Sequence, residues 1–152
     1  MFGIFKRKVD LSDLSKLTIT DIKKLTKSTE PEECGKLLRK AAQEGSLDCQ
    51  IFFSTACIAM MRDYDTANYP PNLEQDFITY TLMAAEQGDV GSQYNLGKHY
   101  IGKVDLSDGY LYEKDHENLK KSEFWYKKAA KQGDKNSVEA IKDLDSLFRM
   151  ID

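Results

Sequence analysis

The chain has 152 residues, 41% of them hydrophobic and 31% charged, with three prolines and a formal net charge of −3. That balance excludes a disordered chain, suits one domain burying about two thirds of its unfolded surface, and contains no run near the ~18 apolar residues of a membrane-spanning helix. The charge is uneven: residues 1–40 hold 10 Lys or Arg against 6 Asp or Glu, and the remainder 12 against 19, so an acidic body should repel phosphate backbones and favour basic protein surfaces over nucleic acid.

The opening "MFGIFKRKVD" places apolar residues before basic ones and lacks a continuous apolar core, which is the wrong order and length for a secretory signal. A cytoplasmic protein is expected. "FGIFKRK" is a short basic-apolar patch, enough for marginal contact with an anionic surface and not for stable membrane association. "SDLSKL" is too short to stand as a helix. "TITDIKKLTKS" at 18–28 puts Ile19, Ile22 and Leu25 on one helical face with Thr18 or Thr20 as the cap. Pro31 then opens the next helix at a first-turn position where its missing N–H costs nothing. Residues 1–32 are read as an N-terminal leader and helix, and 33–152 as a helical repeat domain.

Three near-identical stretches organise that domain: "AAQEG" at 41–45, "AAEQG" at 84–88 and "AAKQG" at 129–133, spaced 43 and 45 positions apart. Periods of about 20–50 residues mark stacked repeats. Before each stretch apolar residues recur at helical spacing (Leu37, Leu38, Ala41; Phe77, Tyr80, Ala84; Trp125, Tyr126, Ala129), and the paired alanines allow close helix approach. Gly45, Gly88 and Gly133 follow where a helix end needs a left-handed residue, and Ser46, Asp89 and Asp134 stand as N-caps of a second helix. "NYPPN" at 68–72 interrupts the path from Met61 to a helix starting near Leu73. No segment alternates as a strand. The fold class is all-α, with about seven helices. Cys34, Cys49 and Cys57 each sit in an apolar helical pattern, so they read as buried, reduced side chains with neither disulfide nor metal.

"SQYNLGKHYIG" followed by "KKSEFWYKKAAKQGD" resembles the Sel-one-like repeat, a relative of the tetratricopeptide repeat. One full unit spans about 92–133, with partial units on either side covering roughly 33–147. The resemblance implies an α-α superhelix, a solenoid of antiparallel helix pairs acting in protein interaction. The first unit departs from the pattern with Phe53-Ser54 where the second has Leu96-Gly97, and the third has Ile141-Lys142. Gly97 should admit a neighbouring helix, whereas Lys142 suits a terminal helix with a polar outer face. Between Gly102 and Asn118, where the family pattern is far shorter, this chain has fifteen residues, "KVDLSDGYLYEKDHE", carrying Asp105, Asp108, Glu113, Asp115 and Glu117 against two lysines. Repeat proteins carry insertions on one edge, often the binding edge, and tyrosines such as Tyr110 and Tyr112 offer large contact area at low conformational cost. The alternative is a tolerated solvated loop, since lengthening costs little entropy.

Catalytic readings fail one by one. "GKHYIGKV" at 97–104 has phosphate-loop spacing but ends in Val104 where a Ser or Thr should hold magnesium, and Gly97 falls within a helix. His99 and His116 have no partner at metal spacing and read as surface residues. Glu32-Glu33 and Asp143-Asp145 read as solvated pairs, and Trp125 as a core residue. No catalytic residue, cofactor or metal site is expected, and an enzyme is the less favoured class. If the pairs stack as the resemblance implies, the helix after each Ala-Ala-x-x-Gly lines a groove. That places Asp48, Ile51, Thr55 and Ile58 on it from the first unit, Tyr94, Lys98 and Ile101 from the second, and Glu139 and Asp143 from the third. With Asp105, Asp108, Tyr110, Tyr112 and Asp115 of the insertion, these form the expected partner site. The expected partner is a protein, with a basic toxin domain suited to the acidic loop through electrostatic steering. Stand-alone bacterial members of the family include small inhibitors of the immunity type and general adaptors, and the inhibitor is the reading preferred.

Overall fold

The computed structural model describes residues 8–151. Among them are seven α-helices and no strand: α1 (Ile19–Ser28), α2 (Pro31–Gln43), α3 (Leu47–Asp63), α4 (Leu73–Glu86), α5 (Val90–Ile101), α6 (Glu113–Lys131) and α7 (Lys135–Phe148). Short 3-10 turns lie at Leu14–Lys16, within the "SDLSKL" stretch, and at Thr66–Asn68. The "FGIFKRK" patch lies outside the described residues except for Lys8.

Helix α1 starts where its cap dictates. The Thr18 hydroxyl accepts from the Asp21 N–H while the Asp21 carboxylate accepts from the Thr18 N–H at 3.0 Å, a reciprocal box satisfying two first-turn donors. Ile22 and Leu25 are buried, but Ile19 is 48% exposed, so the apolar face is narrower than its spacing predicts. Ile19 is the first helical residue, and its side chain leaves the core side while its N–H turns to another element. Pro31 opens α2 as expected.

Each Ala-Ala-x-x-Gly run ends its helix in the same way. Gly45, Gly88 and Gly133 have φ of 112°, 97° and 91°, a region a side chain would strain. The turn lets Ser46, Asp89 and Asp134 donate their N–H to the first alanine's carbonyl at 2.9, 3.1 and 3.2 Å. The same three residues then cap α3, α5 and α7 with their side chains. A further repetition escapes the sequence reading: Gln50 and Gln93, eight residues past Ala42 and Ala85, are buried and donate to those alanines' carbonyls at 2.9 and 3.1 Å. Each carbonyl also accepts from the turn glycine, Gly45 at 3.2 Å and Gly88 at 3.0 Å, so the glutamine fills its second acceptor site inside the protein.

The chain forms two compact units, Met1–Met83 and Ala84–Asp152, the boundary falling within α4. In the first, Leu14, Leu17, Ile22 and Leu25 of the leader share one core with Leu38, Ala41, Ala42 and Cys49 of α2 and α3. The buried Ser46 hydroxyl also donates to the Leu17 carbonyl at 2.7 Å. Residues 8–32 are thus built into the first helix pair. Cys57, Leu73 and Phe77 form a smaller cluster. In the second unit α6 packs on α5 and α7 around Leu119, Tyr126 and Leu144.

One helix contact is written twice with different side chains. In the second unit Gly97 of α5 faces Tyr126 of α6: a Cβ built on Gly97 would lie 2.6 Å from the ring. In the first unit the equivalent positions, 43 and 45 residues earlier, are Ser54 of α3 and Thr81 of α4. Both are buried, and their hydroxyls share a hydrogen bond of 2.6 Å. A glycine opposite a tyrosine and a serine opposite a threonine are two ways of filling the same space at interior density. The position 45 residues after Gly97 is Lys142, exposed and paired with Glu139 at 2.8 Å.

Candidate functional site

The insertion after α5 is shorter as a loop than its sequence suggests, because α6 already begins at Glu113. What remains, residues 102–112, is pinned at both ends: Val104 and Leu111 pack, with Tyr94 and Ile101 of α5, against Leu119, Tyr126 and Leu144. Between these anchors two aspartates fold the chain locally. Asp105 accepts from the Ser107 N–H and Asp108 from the Tyr110 N–H, each at 3.0 Å, the turn chemistry that short acidic side chains favour. The Tyr112 hydroxyl donates to the second oxygen of Asp108.

These bonds hold both carboxyls below the ordinary range, Asp105 chiefly through the Ser107 backbone and Asp108 chiefly through Tyr112. The same carboxylate pushes the Tyr112 hydroxyl up. The loop therefore stays negatively charged and presents two tyrosines, Tyr110 at 70% and Tyr112 at 47% exposure. The Lys114 ammonium lies 5.5 Å from the Tyr112 ring centre.

Asp115, expected in the partner site, is instead turned into the core. It is 3% exposed, and its Oδ2 has no hydrogen-bond partner among the described residues. The reason is helical register: Asp115, Leu119, Ser122, Tyr126 and Ala129 form the buried stripe of α6. Glu113 and Glu117 point to solvent, and Glu117 pairs with Lys121 at 2.6 Å.

The remaining expected site residues divide between the units. In the second, Tyr94 and Ile101 are half-buried beside the loop anchors, Tyr94 lying 5.7 Å from the Tyr126 ring centre, while Lys98, Glu139 and Asp143 are exposed. In the first, Ile51 is half-buried, Thr55 exposed, and Ile58 packs on the Cys57 cluster. Asp48 has a structural task, accepting from the Ile19 N–H at 2.7 Å and so serving the first turn of α1. His99 and His116 are half-buried, correcting the surface reading, whereas Glu32, Glu33, Asp143 and Asp145 are exposed and Trp125 is buried as expected. Gly97 lies inside α5, which leaves no phosphate loop at 97–104.

The sequence reading missed a concavity in the first unit. A cavity of about 260 Å³ lies among α2, α3, α4 and the Pro70-Pro71 segment. Arg39, Phe53, Met60, Asp76 and Tyr80 line it. The contributing face of α3, Phe53-Ala56-Cys57-Met60, is about half a helical turn from the Asp48-Ile51-Thr55-Ile58 face. No group of three metal-ligating side chains occurs among the described residues, and none of their helices is long and apolar enough to cross a membrane. Comparisons with family models, curated proteins and solved structures find no match for this chain.

Proposed function

We propose that this chain is a non-catalytic protein-binding module of the Sel-one-like type, its helix pairs stacked as an α-α superhelix. We place it in the cytoplasm as an immunity-type inhibitor that neutralises a protein toxin by direct contact. One observation carries the reading: the loop 102–112 holds exposed Tyr110 and Tyr112 and charged Asp105 and Asp108 in a fixed arrangement. A merely tolerated linker has no need of two internal turns and two core anchors. A preorganised aromatic and acidic surface loses little entropy on docking, and such anchors dominate binding energy. Repetition of the cap, glutamine and facing-pair patterns supports a repeat architecture. The acidic rim favours a basic partner.

The test begins with affinity capture of the partner. Association and dissociation are then measured for Asp105→Asn with Asp108→Asn, and separately for Tyr110→Ala. The charge variant should associate more slowly and with weaker salt dependence, and the tyrosine variant should dissociate about tenfold faster. Wild-type rates for both variants would place the site elsewhere. An inhibitor abolishes the captured protein's activity at stoichiometric amounts, and a partner left fully active points instead to an adaptor.

A further inference from the structure

The cavity of the first unit has a definite chemical polarity. Its aromatic wall is Phe53 and Tyr80, stacked at 4.9 Å and 28°. The Arg39 guanidinium sits 5.0 Å over the Phe53 ring centre and donates to the Tyr80 hydroxyl at 3.4 Å. Arg39 is exposed, and no carboxylate among the described residues pairs with it. The guanidinium is thus positioned by two aromatic side chains while its remaining N–H groups are left for an acceptor, the planar fork that suits a carboxylate. One turn back along α4 from Tyr80, Asp76 lines the same cavity. Its charge belongs with the first turn of α4 and repels a second anion, so an incoming acid is directed to the Arg39 end.

The size limits the occupant further. At about 260 Å³ the space falls below the ~300–1,000 Å³ typical of drug-sized ligand sites. Met60, 44% exposed, gives the rim an adaptable apolar surface. We propose that this cavity receives one large apolar side chain of a protein partner, of phenylalanine or leucine size, standing next to an aspartate or glutamate in the partner's sequence. The side chain fills the space between Phe53, Met60 and Tyr80, and the neighbouring acid pairs with Arg39. The proposal rests on the protein-binding reading only in taking the occupant to be a protein segment. It places that contact on the opposite face of α3 from the groove the resemblance implies.

The experiment titrates isotope-labelled full-length protein by NMR with acetyl-Phe-Glu-amide, acetyl-Phe-Gln-amide, acetyl-Ala-Glu-amide and acetyl-Phe. The Phe-Glu probe should give saturable shifts at the Ala56 amide and the Met60 methyl. The Phe-Gln and Ala-Glu probes should each bind roughly three- to tenfold more weakly, the range expected for one partly exposed ion pair or one apolar side chain. Arg39→Gln, at an exposed position, should reduce the Phe-Glu probe to the Phe-Gln affinity, and Arg39→Lys should recover part of the difference. Equal binding of all probes, shifts that map elsewhere, or no saturable shift would overturn the proposal. Stronger binding of acetyl-Phe would overturn it in favour of a chain terminus as the occupant. None of these results touches the loop kinetics, so the two readings fail separately.

Discussion

Replacing Gly97 tests the packing that joins α5 to α6. A Cβ there lies 2.6 Å from Tyr126 Cδ1 and 2.8 Å from Cε1 and Cγ, whereas carbon contacts are most favourable near ~3.5–4.0 Å. The two groups must separate by about 1 Å, judged against that contact range. Tyr126 has little room to yield, being 4% exposed within the cluster of Leu119 and Leu144. The backbones are also tied together by the Ser122 hydroxyl, which donates to the Gly97 carbonyl at 2.7 Å. Overpacking of this kind costs ~1–3 kcal/mol, against ~0.5–1 kcal/mol gained when alanine replaces a helical glycine. Gly97→Ala should therefore lose about 1 kcal/mol, and Gly97→Leu at least about 2 kcal/mol, which for a chain of this length lowers Tm by roughly 4–8 °C. Urea titration followed by the single tryptophan, Trp125 of α6, reads the effect locally. Gly35→Ala is the control: nothing lies within 4 Å of its added Cβ, so it should gain about 0.5–1 kcal/mol. An unmoved midpoint for Gly97→Leu, or an equal loss for Gly35→Ala, would refute the close-approach argument.

Burial, with Tyr94 nearby, pushes the Tyr126 hydroxyl up to about 12 from about 10 in an unfolded chain. Its contribution is fully present below pH ~10 and lost as pH rises towards ~12, so by pH 11 the wild type should lose about 1.4 kcal/mol more than Tyr126→Phe. Denaturation by circular dichroism at pH 9 and 11 checks this, and parallel losses in the two proteins would contradict it. Asp48→Ala should cost about 1 kcal/mol and speed hydrogen exchange in α1, whose Ile19 N–H loses its acceptor; unchanged α1 exchange with altered partner affinity would assign Asp48 to binding instead. Burial raises the thiols of Cys34, Cys49 and Cys57, so they should react with a disulfide reagent far more slowly in native buffer than in urea. Complete native labelling during mixing would show that the helices around them are open.

What the sequence reveals is local chemistry. The glycine ends, the serine and aspartate caps and the proline start depend on neighbours a few residues away, so spacing alone places them. The close contact of Gly97 with a helix is readable from its place in the repeat, but Tyr126 as its partner is visible only in three dimensions. Asp115 goes the other way because α6 begins inside the insertion, at Glu113. Its spacing of four from Leu119 and seven from Ser122 is the sequence signal for that burial, and it runs against the rule that lone carboxylates stay in water. Asp48 illustrates a different limit: its acceptor role depends on Ile19, 29 positions earlier, and no periodicity within α3 encodes that pairing. The Arg39 cavity needs three helices and a proline segment to exist, and no pattern within a single helix encodes it.

The repeated positions are largely consumed by making the helix pairs. The paired alanines are buried with the exception of half-buried Ala130, the glycines turn the chain, and Gln50 and Gln93 satisfy helix carbonyls. Such residues cannot change without loss of stability, so they are poor places to encode a particular partner. The freedom lies where the pattern breaks. Between α3 and α4 the extra chain around Pro70 and Pro71 borders the Arg39 cavity. Between α5 and α6 it forms the loop that presents Tyr110, Tyr112 and two fixed aspartates. Both breaks bring aromatic and charged side chains to a surface whose backbone is held by adjacent core residues, Leu73 in one unit and Val104 and Leu111 in the other. A rigid scaffold with variable connections is how loop-borne recognition is generally built. Substitutions at the repeated alanines, turn glycines and buried glutamines should accordingly move the folding midpoint, while on the proposed binding reading substitution of exposed Tyr110 should move binding at constant midpoint.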